Sequence, residues 1–210
     1  DGKTITLVVK NENTRPQDYK NVTNAFRPGH ADIAYFIKYG NSENNTIANE
    51  TGGGRASGRE TVARVMAGAI AKAILKRENN TEIFGHTLQI GNEKAKDFDK
   101  DFIEENPLRT ADKSALLKMM ERVQDARKNG DSVGGIIEII IKNPPKGLGE
   151  PLFDKLDAEL SKALISIGEV KGIEFGSGFS SATSFGSQNN DQIEVKNSKI
   201  HFLSNNAGGI

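Results

Sequence analysis

The sequence predicts a layered fold that mixes helices and strands, α/β or α+β, and three observations carry that reading. Segments of β-branched residues alternate along the chain with segments whose apolar residues recur at helical spacing. The 210 residues, 36% hydrophobic and 27% charged, are enough for one large domain or two small ones with a real core. Neither a dinucleotide fingerprint nor a Walker loop occurs, and no fixed-period repeat or clear linker divides the chain.

Each element follows from its residues in order. Thr4 to Lys10 (TITLVVK) is rich in β-branched residues and predicts a strand inside a sheet, followed by a loop through NENTRPQD. His30 to Tyr39 places Ile33, Phe36 and Ile37 at helical spacing, which predicts a short helix ending at Gly40. The polar stretch 41–50 reads as an exposed loop. From Glu60 to Lys76, Val62, Val65, Met66, Ala69, Ile70 and Ala73 form one apolar stripe, so this segment predicts a core helix.

Further along, His86 to Ile90 predicts a strand and Ser114 to Lys128 an amphipathic helix. Val133 to Ile141 (VGGIIEIII) is short and β-branched, which predicts a buried strand. Pro151 fits the first position of a helix whose stripe, Leu152, Leu156, Leu160, Ala163 and Leu164, runs to Ile165. Gly172–Phe175 and Lys199–Leu203 are shorter strand candidates.

Charge and composition exclude several function classes. With 28 basic and 28 acidic side chains, no net field draws the chain to nucleic acid or an anionic membrane, so an anion site must be local and the partner a small molecule. No run of apolar residues is long enough to span a bilayer. A cysteine count of 0 removes disulfides and thiolate metal sites and suits a reducing compartment, with the cytoplasm as the expectation. Sequons beginning at Asn21, Asn44, Asn49 and Asn79 are read as chance products of an Asn-rich chain. Aromatic residues make up 6% with no Trp, which argues against a stacking platform for single strands. No His, Asp or Glu group has metal-ligand spacing.

Chemistry concentrates in a few segments. In TGGGRASGRET, Gly52 to Gly54 precede Arg55, Ala56, Ser57, Gly58 and Arg59 at the mouth of a helix. Bare backbone, helix-start N–H groups and guanidinium forks together describe an anion cradle. A flexible turn ahead of a solvated helix end would use the same residues. In FRPGHAD, Pro28 and Gly29 force a turn that puts Arg27 and His30 on one side, a cation beside a proton-transfer group. A plain surface histidine is the alternative; His86 and His201 lack such company. The glycines of GDSVGGIIE point to a bulge or close backbone packing. Asp154 and Asp157, three apart on a predicted helix face, imitate a carboxylate pair but read as a solvated face or an interface. In LSNNAGGI, Asn205 and Asn206 offer amide donors and acceptors that a turn or a ligand edge would use.

Taken in order, RPGHAD, GGGRASGRET, GDSVGGIIE, GLGEPLFDKLDAELSKAL and NNAGGI resemble the chorismate synthase family, and the resemblance covers essentially the whole chain. It implies an α+β fold, a β-α-β sandwich, with residues 1–210 forming the central part of one catalytic domain. It also implies a homotetramer that binds reduced FMN, in some members reduced by NADPH. The reaction is a trans 1,4-elimination of phosphate from 5-enolpyruvylshikimate 3-phosphate, giving chorismate in the shikimate pathway toward the aromatic amino acids. Residue by residue, the resemblance implies FMN contacts for Arg55, Ala56, Ser57, Asn206 and Ala207, substrate contacts for Arg27 and Arg59, and for His30 the catalytic role of protonating or stabilising the reduced flavin.

Departures from the family pattern bear on completeness. Gly58 stands where most members have alanine, and residues 41–51 are longer and more polar than usual. The family's N-terminal Gly-Glu-Ser-His-Gly motif and C-terminal Arg-His-Asp-Pro segment are absent from the sequence. The expectation is therefore that these residues are part of a longer enzyme. The alternative is a noncatalytic FMN- or anion-binding, or assembly, module, and a third is an unrelated phosphate-binding enzyme using only the glycine–arginine loop.

Overall fold

A computed structural model describes residues 2–12, 15, 17, 26–40 and 57–208. In chain order the elements are α1 (Asp32–Tyr39), α2 (Thr61–Asn79), β1 (Glu82–Ile90), β2 (Glu93–Lys94), α3 (Leu116–Lys128), β3 (Gly135–Lys142), α4 (Leu156–Ile165), α5 (Gly186–Asn189), β4 (Ile193–Lys196) and β5 (Lys199–Phe202). Short 3-10 turns stand at Gly58–Glu60, Asp101–Glu105, Leu152–Asp154 and Gly178–Thr183. The chain forms two compact units, one of Asp1–Gly68 with Gly147–Ile210 and one of Ala69–Lys146. Their boundary falls inside α2.

The second unit is built on an antiparallel sheet of order β2-β1-β3. Its core gathers Ala95, Ala115 and Met119, with Leu88, Ile90 and Leu108 packed against them. Met119 of α3 is fully buried, a burial that contributes about 1.5–3 kcal/mol. The loop between β2 and α3 buries Ile103, Asn106, Thr110, Ala111 and Asp112, and the buried polar side chains among them are hydrogen-bonded. Asp112 is 1% exposed, and its carboxylate accepts from the N–H groups of Lys96 (2.8 Å), Asp97 (3.1 Å), Ser114 (2.7 Å) and Ala115 (3.1 Å) and from the Ser114 hydroxyl (2.7 Å). This carboxylate supplies the capping that Ala115, with no side-chain acceptor, cannot give the start of α3.

In the first unit, α1 carries an edge-on contact between Phe26 and Phe36, with ring centroids 5.5 Å apart. Arg64 of α2 forms an ion pair with Glu60 at 2.8 Å and reaches the C-terminus of α4, donating to the Ser166 hydroxyl at 2.8 Å and the Ser166 carbonyl at 3.2 Å. A cation on those carbonyls complements the helix dipole. Strands β4 and β5 form a hairpin whose two turn residues, Asn197 (φ 51°) and Ser198 (φ 60°), both lie in the left-handed region. That is the backbone of a type I′ turn.

The structure departs from the sequence reading at several places. Thr4–Lys10 forms no strand: it pairs with no described strand, and Val8 is 76% exposed. Branching at Cβ fits a residue to a sheet but supplies no ladder partner. Helix α2 forms where expected, yet none of its residues is buried, because a stripe shows which face seeks cover and not whether cover is present. Val133–Ile141 yields a strand, β3, but an edge strand with Ile137 65% exposed.

Pro151 does not open a long helix. A 3-10 turn, Leu152–Asp154, is closed by the Glu150 N–H donating to the Asp154 carbonyl at 2.8 Å, and Lys155 is extended before α4 begins. Asp154 and Asp157 consequently share no helix face. Gly172–Phe175 forms no strand, while β4 was not expected. One glycine of the GDSVGGIIE pair does mark a close backbone approach: a Cβ on Gly135 would lie 2.5 Å from the Gln89 carbonyl oxygen, while Gly134 meets nothing within 4 Å.

Candidate functional site

The Pro28–Gly29 turn has Gly29 at φ 70°, and the His30 N–H donates to the Arg27 carbonyl at 3.2 Å. This closes the chain so that Arg27 and His30 meet, with Arg27 Nη2 3.1 Å from His30 Nδ1. A guanidinium has only donors. Nδ1 must therefore accept, and the ring proton of the neutral imidazole sits on Nε2. The turn thus holds a cation and an oriented proton carrier as one unit just before α1.

At the start of α2, the Ser57 hydroxyl accepts from the Arg59 N–H at 3.2 Å and the Ser57 carbonyl accepts from the Glu60 N–H at 3.0 Å. Ser57 is the N-cap of this helix start, as its residue type favours. The Arg59 guanidinium donates from Nη1 to the Asn11 side-chain carbonyl at 3.1 Å. Arg55, Ala56 and the glycines before them lie outside the described residues, as does the predicted loop at 41–50.

Asn206 and Ala207 belong to a turn that follows β5. The Asn206 N–H donates to Asp191 Oδ1 at 2.6 Å, and the Ala207 N–H donates to Asp191 Oδ2 at 2.9 Å. The Asn206 carbonyl accepts from the Ser177 N–H at 2.8 Å and the Ser177 hydroxyl at 3.1 Å. Its side-chain amide makes no hydrogen bond among the described residues. Asn206 lines a groove of about 210 Å³ with Ser187, Gln188, Asn190, Gln192 and Ser204, neutral donors and acceptors, beside the apolar Leu203.

Asp191, Ser177 and Ser204 escaped the sequence reading. The signal for Asp191 was present. A two-residue turn at Asn197–Ser198 fixes Ile193 opposite Phe202, and counting outward sets Asp191 opposite Ser204, whose hydroxyl donates to Asp191 Oδ1 at 2.6 Å. The other two histidines stand apart from these groups in the sequence and in their bonding. His86 is 3% exposed, with Nε2 2.7 Å from Oε2 of its cross-strand partner Glu138; His201 is exposed on β5. Among the described residues no cluster of His, Asp and Glu could hold a metal ion, and no helix is long and apolar enough to cross a membrane.

A family model described as chorismate synthase matches residues 1–210. The chain is 47% identical over 213 residues to the chorismate synthase of Methanosarcina acetivorans, covering all of this chain and 56% of that protein. It is 44% identical over 215 residues to that of Synechococcus sp. (strain RCC307), covering all of this chain and 58% of the relative. Among solved structures it resembles a crystal structure of chorismate synthase with a TM-score of 0.74 and 31% identity, over 86% of this chain and 57% of the other. The chain spans a little over half the length of the curated relatives it matches.

Proposed function

The chain belongs to the chorismate synthase family, and on that premise we propose that it serves the elimination of phosphate from 5-enolpyruvylshikimate 3-phosphate to give chorismate, with reduced FMN as cofactor. The reaction is that of a carbon–oxygen lyase with no net redox change. The single observation that carries the reading is the Arg27–His30 contact at 3.1 Å: it joins a phosphate- or carboxylate-binding fork to a proton carrier whose tautomer the contact selects.

The residues fit the ligands by their chemistry. The substrate carries one phosphate and two carboxylates, and guanidinium forks match such oxygens in pairs. Arg27 and Arg59 are the substrate-binding residues on this reading. FMN adds a further phosphate, ribityl hydroxyls and a ring edge of amide-like groups. The Asn206 amide and its neutral neighbours along the groove suit those hydroxyls and that edge, and Ser57 at the N-cap of the 3-10 turn that leads into α2 suits an anionic group. Reduced FMN, when bound, supplies an electron-rich ring that is restored at the end of each turnover. His30 holds or moves a proton at Nε2, and the arginines orient the substrate and disperse the charge of the departing phosphate.

Arg55, Ala56 and Ala207 complete the proposed FMN contacts by family resemblance. The same reading makes the protein a cytoplasmic homotetramer whose flavin is reduced by NADPH or by an outside donor. The test is turnover. The complete gene product, incubated without oxygen with the substrate and reduced FMN, is expected to form chorismate. Binding of both ligands with no conversion would overturn the catalytic reading in favour of a noncatalytic binding or assembly module.

A further inference from the structure

We propose that Asp191 is a positioning residue for the flavin: it holds the backbone amides of Asn206 and Ala207 inward and so leaves the Asn206 side-chain amide to meet the ligand. The proposal rests on the reading above that Asn206 and Ala207 contact FMN. Its evidence is the distribution of hydrogen bonds around one turn. One carboxylate takes the N–H of Asn206 on Oδ1 at 2.6 Å and the N–H of Ala207 on Oδ2 at 2.9 Å, and it also takes the Ser204 hydroxyl at 2.6 Å. The Asn206 carbonyl is held from the other side by the Ser177 N–H and hydroxyl. Both backbone groups of Asn206 are thus committed within the protein, and what it offers a ligand is its amide side chain, half-buried along the groove.

A loop residue that must meet a ligand at a set angle needs its backbone fixed beforehand, because ordering it on binding costs affinity. An aspartate suits the task better than a neutral residue, since hydrogen bonds to a charged acceptor are shorter and stronger than neutral ones. The Ser204 hydroxyl, then the Ala207 and Asn206 amides, hold the Asp191 carboxyl below its usual range. The acceptor therefore stays charged across the working pH of a cytoplasmic protein.

The substitution Asp191→Asn tests this directly. One oxygen is kept, but an NH2 group replaces the other acceptor and turns two donors against each other at one of the two backbone amides. In the complete gene product, titration with oxidised FMN, read by quenching of flavin fluorescence, should show about tenfold or more weaker binding. Affinity for 5-enolpyruvylshikimate 3-phosphate and the melting temperature without ligand should stay near the parent values. Saturating FMN should restore most of the turnover.

Parent-like FMN affinity in Asp191→Asn, alongside a clear loss in Asn206→Ala, would overturn the role of Asp191 and leave the FMN reading standing. No effect of Asn206→Ala, or no FMN binding by the parent, would instead sink the underlying reading. A second measurement needs no variant: hydrogen exchange in the FMN-free parent should show the amides of Asn206 and Ala207 protected, and free exchange there would reject the positioning role even if Asp191→Asn did not fold.

Discussion

Arg27 Nη2 lies 3.1 Å from His30 Nδ1, and because the arginine can only donate, this one contact settles which imidazole nitrogen carries the proton. The turn at Pro28–Gly29 makes the contact local. A rigid turn and a fixed tautomer are what a proton carrier needs before a ligand arrives, since a ring free to rotate would present the wrong nitrogen part of the time.

Replacing His30 with alanine is expected to lower kcat by about a hundredfold or more, the usual contribution of a positioned proton carrier. FMN affinity should change by much less, because the groups proposed to bind FMN, Ser57, Asn206 and their neighbours, lie in other segments and His30 is assigned a proton role at the flavin. Steady-state turnover beside an FMN titration of the same preparation separates the two effects, and unchanged turnover would remove His30 from the mechanism.

Arg59→Ala should act chiefly on substrate affinity. Its guanidinium is steadied by Asn11 at 3.1 Å, so Asn11→Ala should produce a weaker version of the same defect: a raised KM with kcat nearly kept. Equal substrate affinity in Arg59→Ala and parent would contradict the assignment. Arg27→Lys is the companion variant. It keeps the charge but loses the fork, and it should weaken binding while disturbing His30 as well.

The sequence disclosed local features better than tertiary ones. Helix α3 and strand β1 were visible from periodicity, and the Arg27–His30 pairing followed from a Pro-Gly turn, because in each case the cause lies within a few residues. Burial was harder to foresee. The apolar stripe of α2 and the isoleucines of β3 were both expected in a core, yet neither element has a buried side chain. Cover for such a face comes from distant segments that a pattern of spacings does not name. Asp191 shows the same limit, since its role depends on a hairpin register that becomes legible only once Asn197–Ser198 is recognised as a turn.

Asp112 should dominate the acid stability of the unit Ala69–Lys146. Burial pushes its carboxyl upward, but the hydrogen bonds from Lys96, Ser114, Asp97 and Ala115 outweigh that and hold it well below the usual carboxylate range. The folded state therefore keeps Asp112 charged where the unfolded chain takes up a proton. Its contribution is complete above about pH 4 and is lost as the pH falls further, toward the depressed folded value. Asp112→Asn should cost about 1–3 kcal/mol for each backbone N–H left without an acceptor. It should also flatten the fall in stability below pH 4, and urea midpoints measured from pH 3 to 7 compare both.

Gly176 is expected to admit no side chain. It stands at φ 57°, and a Cβ there would lie 2.1 Å from the Asn206 carbonyl oxygen and 2.5 Å from the Gly208 backbone nitrogen. The contact is backbone against backbone, so no rotamer change relieves it, and the left-handed conformation adds a further penalty of about 1–2 kcal/mol. Gly176→Ala must therefore push away the turn that Asp191 and Ser177 hold. On the proposed function, FMN affinity should fall by more than in Asp191→Asn, because the substitution displaces the Asn206 peptide itself where the asparagine only loosens its anchor. Fluorescence titration of both variants orders them, and an alanine at 176 that binds FMN like the parent would show that this turn is no part of the flavin site.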